Sequence, residues 1–369
     1  MRTTALFRLL FVPAALFAAA CDDARDPLGP PVADEGLPDV QHTTGPLEDL
    51  AYWADGYLKS RDKLASSSTP EATLSFNRSC GRITITKVAG TTGRYVARFG
   101  GLTALLGTAS TVHVSGHGSD ATYCKPVGSR LVRDSVEVRC FKIGTGAAAN
   151  ALFSLQVVGK RGDRAFAFAH QPTAADYSPA AAGSWNPTGA TRVRRLGVGT
   201  YVVTFSGLGA WLSTGVGGHV QVNAVGTGKV HCKTYEWGSG TDVGVEVRCY
   251  TPAGSPADAK FTVLFVLPAP LMGYAWADQP ISASYRAYSV FSWSPAGGGV
   301  LITRQGTGVY GVQWDQPPFS GYGTVQVTAM GEGSAQCKLS VLGSKSAVVR
   351  CFAGNGVPMD SYYTVLIHT

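Results

Sequence analysis

Six cysteines, each beside a basic residue, carry the clearest chemistry in this sequence. They form three sets in which a Cys-Lys pair precedes an Arg-Cys pair and the cysteines stand 14 to 17 positions apart: Cys124-Lys125 with Arg139-Cys140, Cys232-Lys233 with Arg248-Cys249, and Cys337-Lys338 with Arg350-Cys351. Cysteines at a repeated spacing predict one disulfide per set in an oxidising compartment. The lysines and arginines are candidate contacts for an anionic ligand.

The residues around each Arg-Cys pair alternate as a half-buried β-strand does. Val136, Val138 and Cys140 share one face, so Arg139 points the other way. If Cys124 faces Cys140, the paired lysine and arginine of each set lie opposite each other on an outer face, where like charges repel. Two interpretations stay open: long stems on a solvated edge, or a repeated anion contact.

Negative charge near these pairs differs between the sets. Glu137 and Glu246 stand two residues before the arginine in the first two sets, whereas the third has Val348 there. The sequence therefore predicts that Lys338 and Arg350 lack local compensation.

The strands around these pairs recur along the chain. Gly-x-Tyr segments centred near Tyr95, Tyr201 and Tyr310 each open a strand that precedes the Cys-Lys pair. The 46 glycines favour short strands with tight turns. We predict an all-β fold of three tandem immunoglobulin-like β-sandwich modules, at residues 51–163, 164–270 and 271–369, with seven or so strands each.

The first 50 residues predict export. Arg2 and Arg8 lead into an apolar run that ends in Ala18-Ala19-Ala20 before Cys21, as in a signal peptide over residues 1–21. The placement of Cys21 resembles a bacterial lipobox, which implies a lipid on its sulfur. Residues 22–50 predict a disordered acidic linker. The expected location is the bacterial cell envelope, outside the cytoplasm, with the membrane contacted through the N-terminal lipid.

The charge is divided unevenly along the chain. The formal net charge is +7, with +2 from residues 1–21 and −7 from residues 22–50, which leaves +12 for residues 51–369. A basic body is attracted to acidic glycans or envelope polymers, although a basic surface can also serve solubility alone. No feature predicts specific nucleic-acid binding.

Motifs that suggest catalysis have simpler explanations. The Gly-x-Gly-x-x-Gly match at residues 306–311 opens a strand and not a helix, so we expect a hairpin turn. His113 and His117 share a strand face, but glutamine replaces the first in the other repeats, and we expect no metal there. Asp258 and Asp360 are expected to form Asx-turns. The sequence predicts no catalytic residues, metal or cofactor.

Three aromatic residues and one cysteine stay unassigned. Trp185, Trp276 and Trp293 lie in connecting segments, where they could stack on sugar rings or pack between modules. Cys80 has no partner in the repeat pattern, so we expect a free thiol or an intermolecular link.

The order of these features resembles a known kind of protein. It runs Ala-His/Asp-Gln-Pro, Gly-x-Tyr-(x)3-Phe/Trp, Cys-Lys, Arg-Cys-Phe/Tyr and Pro-x-Asp, most clearly over residues 160–369. It is similar to tandem Cys-paired β-repeat modules of secreted bacterial lipoproteins, for which no activity is established. The resemblance implies a β-rich extracellular fold and supplies no catalytic residues. The first repeat departs from it, having Ala148-Ala149-Asn150 in place of Pro-x-Asp.

These features together predict a cell-surface lipoprotein with a binding or scaffolding role and no enzymatic activity. Repetition of modules would multiply weak contacts with an anionic polymer. The alternatives are a structural spacer, or an enzyme whose site is confined to the first module, with His113 and His117 as its only candidates.

Overall fold

Strands separated by short turns make up almost all of the secondary structure. The computed structural model describes residues 54–70, 72–212, 216–316, 323–343 and 345–368. The predicted signal peptide, the predicted linker and Cys21 lie outside these residues. The predicted all-β class is confirmed. Among the described residues, none of the helices has the length and apolar character to cross a bilayer.

A pattern of nine strands occurs first between Gly56 and Gly159. Its strands are β1 (Gly56–Lys59), β2 (Ser67–Ser68), β3 (Ser75–Asn77), β4 (Ile83–Lys87), β5 (Arg94–Phe99), β6 (Ser110–His117), β7 (Thr122–Pro126), β8 (Ser135–Lys142) and β9 (Leu152–Gly159). They form a four-stranded group, β3-β1-β9-β6, and a five-stranded sheet, β2-β4-β5-β8-β7. We call this part of the chain repeat 1.

The same pattern occurs between Arg164 and Val266, in repeat 2. Its strands are β10 (Arg164–Ala169), β11 (Asp176–Tyr177), β12 (Ser184–Trp185), β13 (Thr191–Gly197), β14 (Thr200–Phe205), β15 (His219–Val225), β16 (His231–Ser239), β17 (Val243–Tyr250) and β18 (Lys260–Val266). The sheet orders β12-β10-β18-β15 and β11-β13-β14-β17-β16 match those of repeat 1 strand for strand.

Repeat 3 follows between Met272 and His368. Its strands are β19 (Met272–Ala277), β20 (Ser284–Arg286), β21 (Ser292–Trp293), β22 (Val300–Gly306), β23 (Val309–Trp314), β24 (Thr324–Ala329), β25 (Gln336–Leu342), β26 (Ser346–Phe352) and β27 (Tyr363–His368). They form the groups β21-β19-β27-β24 and β20-β22-β23-β26-β25. A single parallel bridge between Leu339 and His117 joins the latter to the four-stranded group of repeat 1.

The helical segments are all short. They are α1 (Leu102–Leu105) and the 3₁₀ turns Ala72–Leu74, Ala181–Gly183, Leu208–Trp211 and Ser289–Phe291. Each repeat has nine strands where the sequence pattern indicated about seven. The extra strands span only two or three residues, too few for alternation to be visible.

The two sheets of each repeat face each other across an apolar core. In repeat 2, Val220 and Phe265 of the four-stranded sheet pack with Tyr201, Val203 and Cys249 of the five-stranded sheet. Repeats 1 and 3 have equivalent cores. This arrangement is consistent with a β-sandwich.

The three disulfides predicted from the cysteine spacing are present. Cys124 pairs with Cys140, Cys232 with Cys249, and Cys337 with Cys351. Each bond joins residues directly opposite on neighbouring antiparallel strands. The sulfur atoms lie on the core side, as the alternation of Val and Cys indicated.

A tyrosine in each repeat is fixed by its hydroxyl group. Tyr201 donates to the Pro172 carbonyl at 2.9 Å and to Asp258 at 2.8 Å, and Tyr310 makes the corresponding contacts with Pro280 and Asp360. Asp258 also accepts hydrogen bonds from Arg195 and from the Gly199 amide.

Asp258 and Asp360 thus anchor distant strands, and the Asx-turn prediction is wrong. Asn150 accepts the equivalent amide hydrogen bond, from Gly93 at 2.8 Å. The first repeat therefore keeps the contact without the Pro-x-Asp motif.

The described residues form one compact unit in which the three repeats close on one another. A polar side chain of each repeat bonds the backbone of another. Asn223 contacts both backbone groups of Val114 at 2.7 and 2.8 Å, and Thr328 accepts from the Val222 amide at 3.2 Å. Ser115 completes the set by contacting both backbone groups of Val327. These three contacts occupy equivalent positions, so the repeats make a closed ring.

Backbone contacts repeat the same cycle. The amides of Gly226, Gly331 and Gly118 donate to the carbonyls of residues 126, 234 and 339 at 3.0 to 3.1 Å. All three glycines have positive φ angles, of 113°, 80° and 101°, which only glycine adopts readily. The ring is thus closed by the same turn in each repeat. At the junction of repeats 3 and 1, the Tyr57 and His368 rings contact at 5.8 Å.

The four-stranded groups are buried on both faces because their second faces meet at the centre of the ring. Apolar side chains from all three repeats pack there, among them Phe166, Leu264, Tyr274 and Leu366. The same centre contains buried polar side chains such as Gln156 and His219. In these strands the side chains that point away from the core of their own repeat, where alternation would predict solvent, therefore face another repeat.

Candidate functional site

The lysines of the three Cys-Lys pairs lie between repeats and not at the surface. Lys125, Lys233 and Lys338 are only 3%, 1% and 2% exposed. Each donates to a backbone carbonyl of the next repeat: Lys125 to Val230 at 2.9 Å, Lys233 to Glu332 at 3.0 Å, and Lys338 to Asp120 at 3.0 Å. We call these three residues the lysine ring.

The expected cross-strand register is confirmed, but the expected solvent exposure of the lysines is wrong. Lys125 pairs with Arg139, Lys233 with Arg248, and Lys338 with Arg350. Each lysine lies on the face of its sheet that points away from its own core. The neighbouring repeat covers that face at the lysine, which sequence alternation within one repeat cannot reveal.

Lys338 has the negative partner that the sequence did not indicate. Its ammonium group donates to the Asp120 carboxylate and to the Thr122 hydroxyl, both at 2.9 Å. Both partners come from repeat 1, more than 200 residues away along the chain. Lys338 therefore obtains its carboxylate from another repeat, and the predicted lack of local compensation concerned its own repeat only.

Lys125 and Lys233 have no comparable compensation. In the described residues neither makes an ion pair, and the ammonium group of each makes one hydrogen bond, to a carbonyl of the next repeat. Burial, reinforced by the nearby Arg139 guanidinium, lowers the pKa of Lys125 to about 8. Burial and Arg248 lower the pKa of Lys233 to about 7, against a smaller opposite effect of Glu332. Both amines are thus held where the charged form is costly.

The three arginines of the sets stay partly exposed. Arg139 pairs with Glu137 at 2.7 Å, and Arg248 pairs with Glu246 at 2.8 Å. Arg350 contacts the Ser340 hydroxyl at 3.3 Å and has no carboxylate partner among the described residues. The arginines therefore differ between the sets as the sequence indicated: Arg139 and Arg248 each pair with a glutamate, and Arg350 contacts a serine.

A cavity of about 50 Å³ lies where the central strands β6, β15 and β24 meet the Cys-Lys strands β7, β16 and β25. We call it the central cavity. Its walls include all three members of the lysine ring together with His231 and Gln336. The His231 Nε2 atom contacts the Ser334 carbonyl at 3.1 Å, so Nε2 carries the proton in the neutral ring. Burial lowers the pKa of His231 to about 4, which keeps the ring neutral.

The histidines considered for metal binding, His113 and His117, both lie on β6. His113 is buried and its Nε2 atom lies 3.2 Å from the Thr111 hydroxyl. Burial lowers the pKa of His113 to about 3. Over the described ranges, no three His, Cys, Asp or Glu side chains are grouped closely enough to hold a metal.

The tryptophans of the connecting segments pack between elements. Trp185 and Trp293 lie against the apolar cluster at the centre of the ring. Trp276 packs edge-on against Trp237 and Phe291. Packing within the protein, one of the two uses considered for these tryptophans, therefore accounts for their partial burial.

Cys80 is disulfide-bonded, so the expectation of a free thiol is wrong. Its φ angle of 59° lies in the left-handed region, where Gly297 of repeat 3 has φ 81° at the equivalent turn. A cysteine in this conformation accepts backbone strain that glycine avoids.

Sequence reasoning missed the acceptors that receive the lysine ring. Asp120 and the carbonyls of Val230 and Glu332 lie in turns before the next Cys-Lys strand. One signal for contact between repeats was present in the sequence, because Ser115, Asn223 and Thr328 are polar at one position in all three repeats.

Comparison with protein-family models, curated proteins and solved structures yields no match to this chain.

Proposed function

We propose that this chain is an exported binding or scaffolding protein of the bacterial cell envelope that contacts acidic polysaccharide or another anionic envelope polymer. In this proposal its three repeats are immunoglobulin-like modules over 51–163, 164–270 and 271–369. The role is non-enzymatic. The three disulfides suggest an oxidising environment outside the cytoplasm.

The observation that carries the proposal is that the paired lysines and arginines lie in different places. The lysines are buried in contacts between repeats, while arginines remain on the open faces of two five-stranded sheets. In repeat 1 these are Arg94, Arg98 and Arg139, and Arg94 lies directly across from Arg139. Glu137 bridges that pair, with distances of 3.0 and 2.7 Å.

Repeat 2 presents a second basic face. Arg192 and Arg194 lie on one side of β13 and are exposed. Asp176 pairs with Arg192 at 2.8 Å, and Arg194 makes no ion pair within the described chain. Two basic faces held by one compact unit favour an extended polyanion, because the second contact then forms at high effective concentration.

The test is binding of the full chain to a soluble polyuronate at low and high salt. We expect retention that weakens as salt increases. Arg98→Glu with Arg194→Glu should reduce binding at least tenfold, because both side chains are exposed and neither is needed by the fold. Lys260→Glu with Lys345→Glu makes the same change in net charge elsewhere and is the control.

Equal loss in both double variants would mean that only net charge matters, and the proposed faces would be wrong. No binding by the unaltered chain to any acidic polymer would favour the structural spacer.

We also propose attachment to the membrane through a lipid on Cys21. The sequence has eight cysteines, of which the three pairs and Cys80 account for seven. Mass spectrometry of the N-terminal peptide from the native host tests the anchor: a diacylglyceryl mass on Cys21 supports it, and a Cys21 without this mass rejects it.

A further inference from the structure

We propose that the central cavity binds inorganic phosphate, as hydrogen phosphate, between Lys125 and Lys233. The proposal is independent of polymer binding, because it concerns the interior of the ring and not the arginine faces. It depends on hydrogen-bonding groups of the cavity wall that the protein leaves unused.

The first observation is a surplus of buried donors. An ammonium group has three N–H donors, and within the described chain Lys125 and Lys233 each use one on a carbonyl of the next repeat. Four N–H donors therefore remain on side chains that are 97% or more buried. A buried cation with unused donors is costly unless an acceptor is present.

The second observation is that His231 and these two lysines line one cavity. The unused donors therefore border a shared space.

The third observation is that two side-chain atoms of residues in the cavity wall have no hydrogen-bond partner among the residues that the structure describes. They are Nδ1 of His231 and Nε2 of Gln336, and both residues are more than nine-tenths buried. Gln336 Nε2 is another donor. Because His231 Nε2 donates to Ser334, its Nδ1 is an acceptor and requires a donor.

These groups together match one class of anion. Lys125, Lys233 and Gln336 suit the oxygen atoms of a tetrahedral anion, and His231 Nδ1 suits a hydroxyl on the same ion. Hydrogen phosphate has such a hydroxyl at neutral pH, whereas sulfate and chloride do not. Lys338 is saturated by Asp120 and Thr122, so two cations face the dianion.

The size of the central cavity is compatible with this ligand. A single water needs roughly 10–15 Å³, and the cavity has about 50 Å³. The cavity can hold an inorganic ion but leaves little room for a larger phosphate ester.

The test compares thermal unfolding of the full chain in phosphate and in sulfate at one ionic strength. We expect Tm to rise with the logarithm of phosphate concentration once the site begins to fill. Sulfate should need at least tenfold higher concentrations for the same shift. Lys125→Met with Lys233→Met should abolish the phosphate response. The control is Arg139→Met with Arg248→Met, which removes the arginines opposite these lysines. This variant should retain the phosphate response.

A phosphate response that survives in the lysine variant would overturn the proposal, as would its absence from the unaltered chain. Equal responses to sulfate and phosphate would overturn the assignment of a protonated anion. If the lysine variant does not fold, crystals of the unaltered protein in arsenate decide the question. We expect an anomalous peak between Lys125 and Lys233, and ordered waters alone would reject the site.

Discussion

A lysine beside a cysteine on a β-strand has two very different uses, and only its surroundings decide between them. In this molecule Lys125, Lys233 and Lys338 make contacts between repeats that follow one another around the ring. Their stems cross the interface, and each ammonium group ends on a carbonyl of the next repeat. A lysine is suited to this because its donors can rotate to meet a carbonyl.

At this scale the contact between Lys338 and Asp120 can be tested directly. Burial favours the neutral form of Asp120, but the Lys338 ammonium outweighs it and lowers the Asp120 pKa. Asp120→Asn would leave Lys338 charged and buried without a carboxylate. We expect a loss of about 1–3 kcal/mol in the free energy of unfolding, reduced from the full value for a buried pair because Asp120 is partly exposed.

Chemical denaturation measures this loss. Asp176→Asn removes the carboxylate of an exposed pair with Arg192 and should cost less than Asp120→Asn, because solvent screens the exposed pair. Equal effects of the two substitutions would mean that burial of Lys338 adds nothing to the interaction.

At the scale of elements, the turn after each central strand determines how one repeat meets the next. Gly226 has φ 113°, and a methyl group added to its Cα would meet no atom within 4 Å. Gly228 has equal space for a methyl group and no positive φ. Alanine at Gly226 should therefore cost about 1–2 kcal/mol through backbone strain alone.

The neighbouring glycine is the matched control for this turn. Gly228→Ala should be neutral or slightly stabilising, because it restricts only the unfolded chain. Urea denaturation of both variants measures the difference. A Gly226→Ala protein as stable as the Gly228→Ala protein would show that the turn does not need its left-handed residue.

Three buried histidines also predict how stability depends on pH. Burial lowers the pKa of His113 and His219 to about 3, and that of His231 to about 4, from 6.5. The unfolded chain therefore binds more protons than the folded chain below pH 6.5. Stability should be fully present above pH 6.5 and fall steadily toward pH 4.

The repeats supply the substitution that tests this pH dependence. Glutamine stands at the position of His113 in repeats 2 and 3, as Gln221 and Gln326, so His113→Gln should fold. Its free energy of unfolding should fall less steeply between pH 6.5 and pH 4. An unchanged slope would remove His113 as a cause, and His170→Gln serves as the control.

At the scale of the whole molecule, much of the fold followed from the sequence while the centre of the ring did not. Alternation and cysteine spacing suffice for the strands and disulfides, since these depend on neighbours within one repeat. The burial of Lys125 and Asn223 depends on which face another repeat covers, and polar residues there look like solvent-facing positions. The candidate cavity could not be predicted because its wall comes from three distant parts of the chain.

The closed ring predicts cooperative unfolding. Detaching one repeat would expose the apolar cluster at the centre and break contacts on two sides. We expect a single thermal transition, with equal calorimetric and van't Hoff enthalpies. Two or three separate transitions would instead indicate independently stable repeats.

The contact between Tyr57 and His368 brings the first and last strands of the ring together. A short peptide joining these strands, with new ends between β18 and β19, would leave every sheet ladder intact. Such a circular permutant is expected to form the same three disulfides, which peptide mapping would verify. The order in which the repeats are synthesised is then one of three equivalent ways to trace the same molecule.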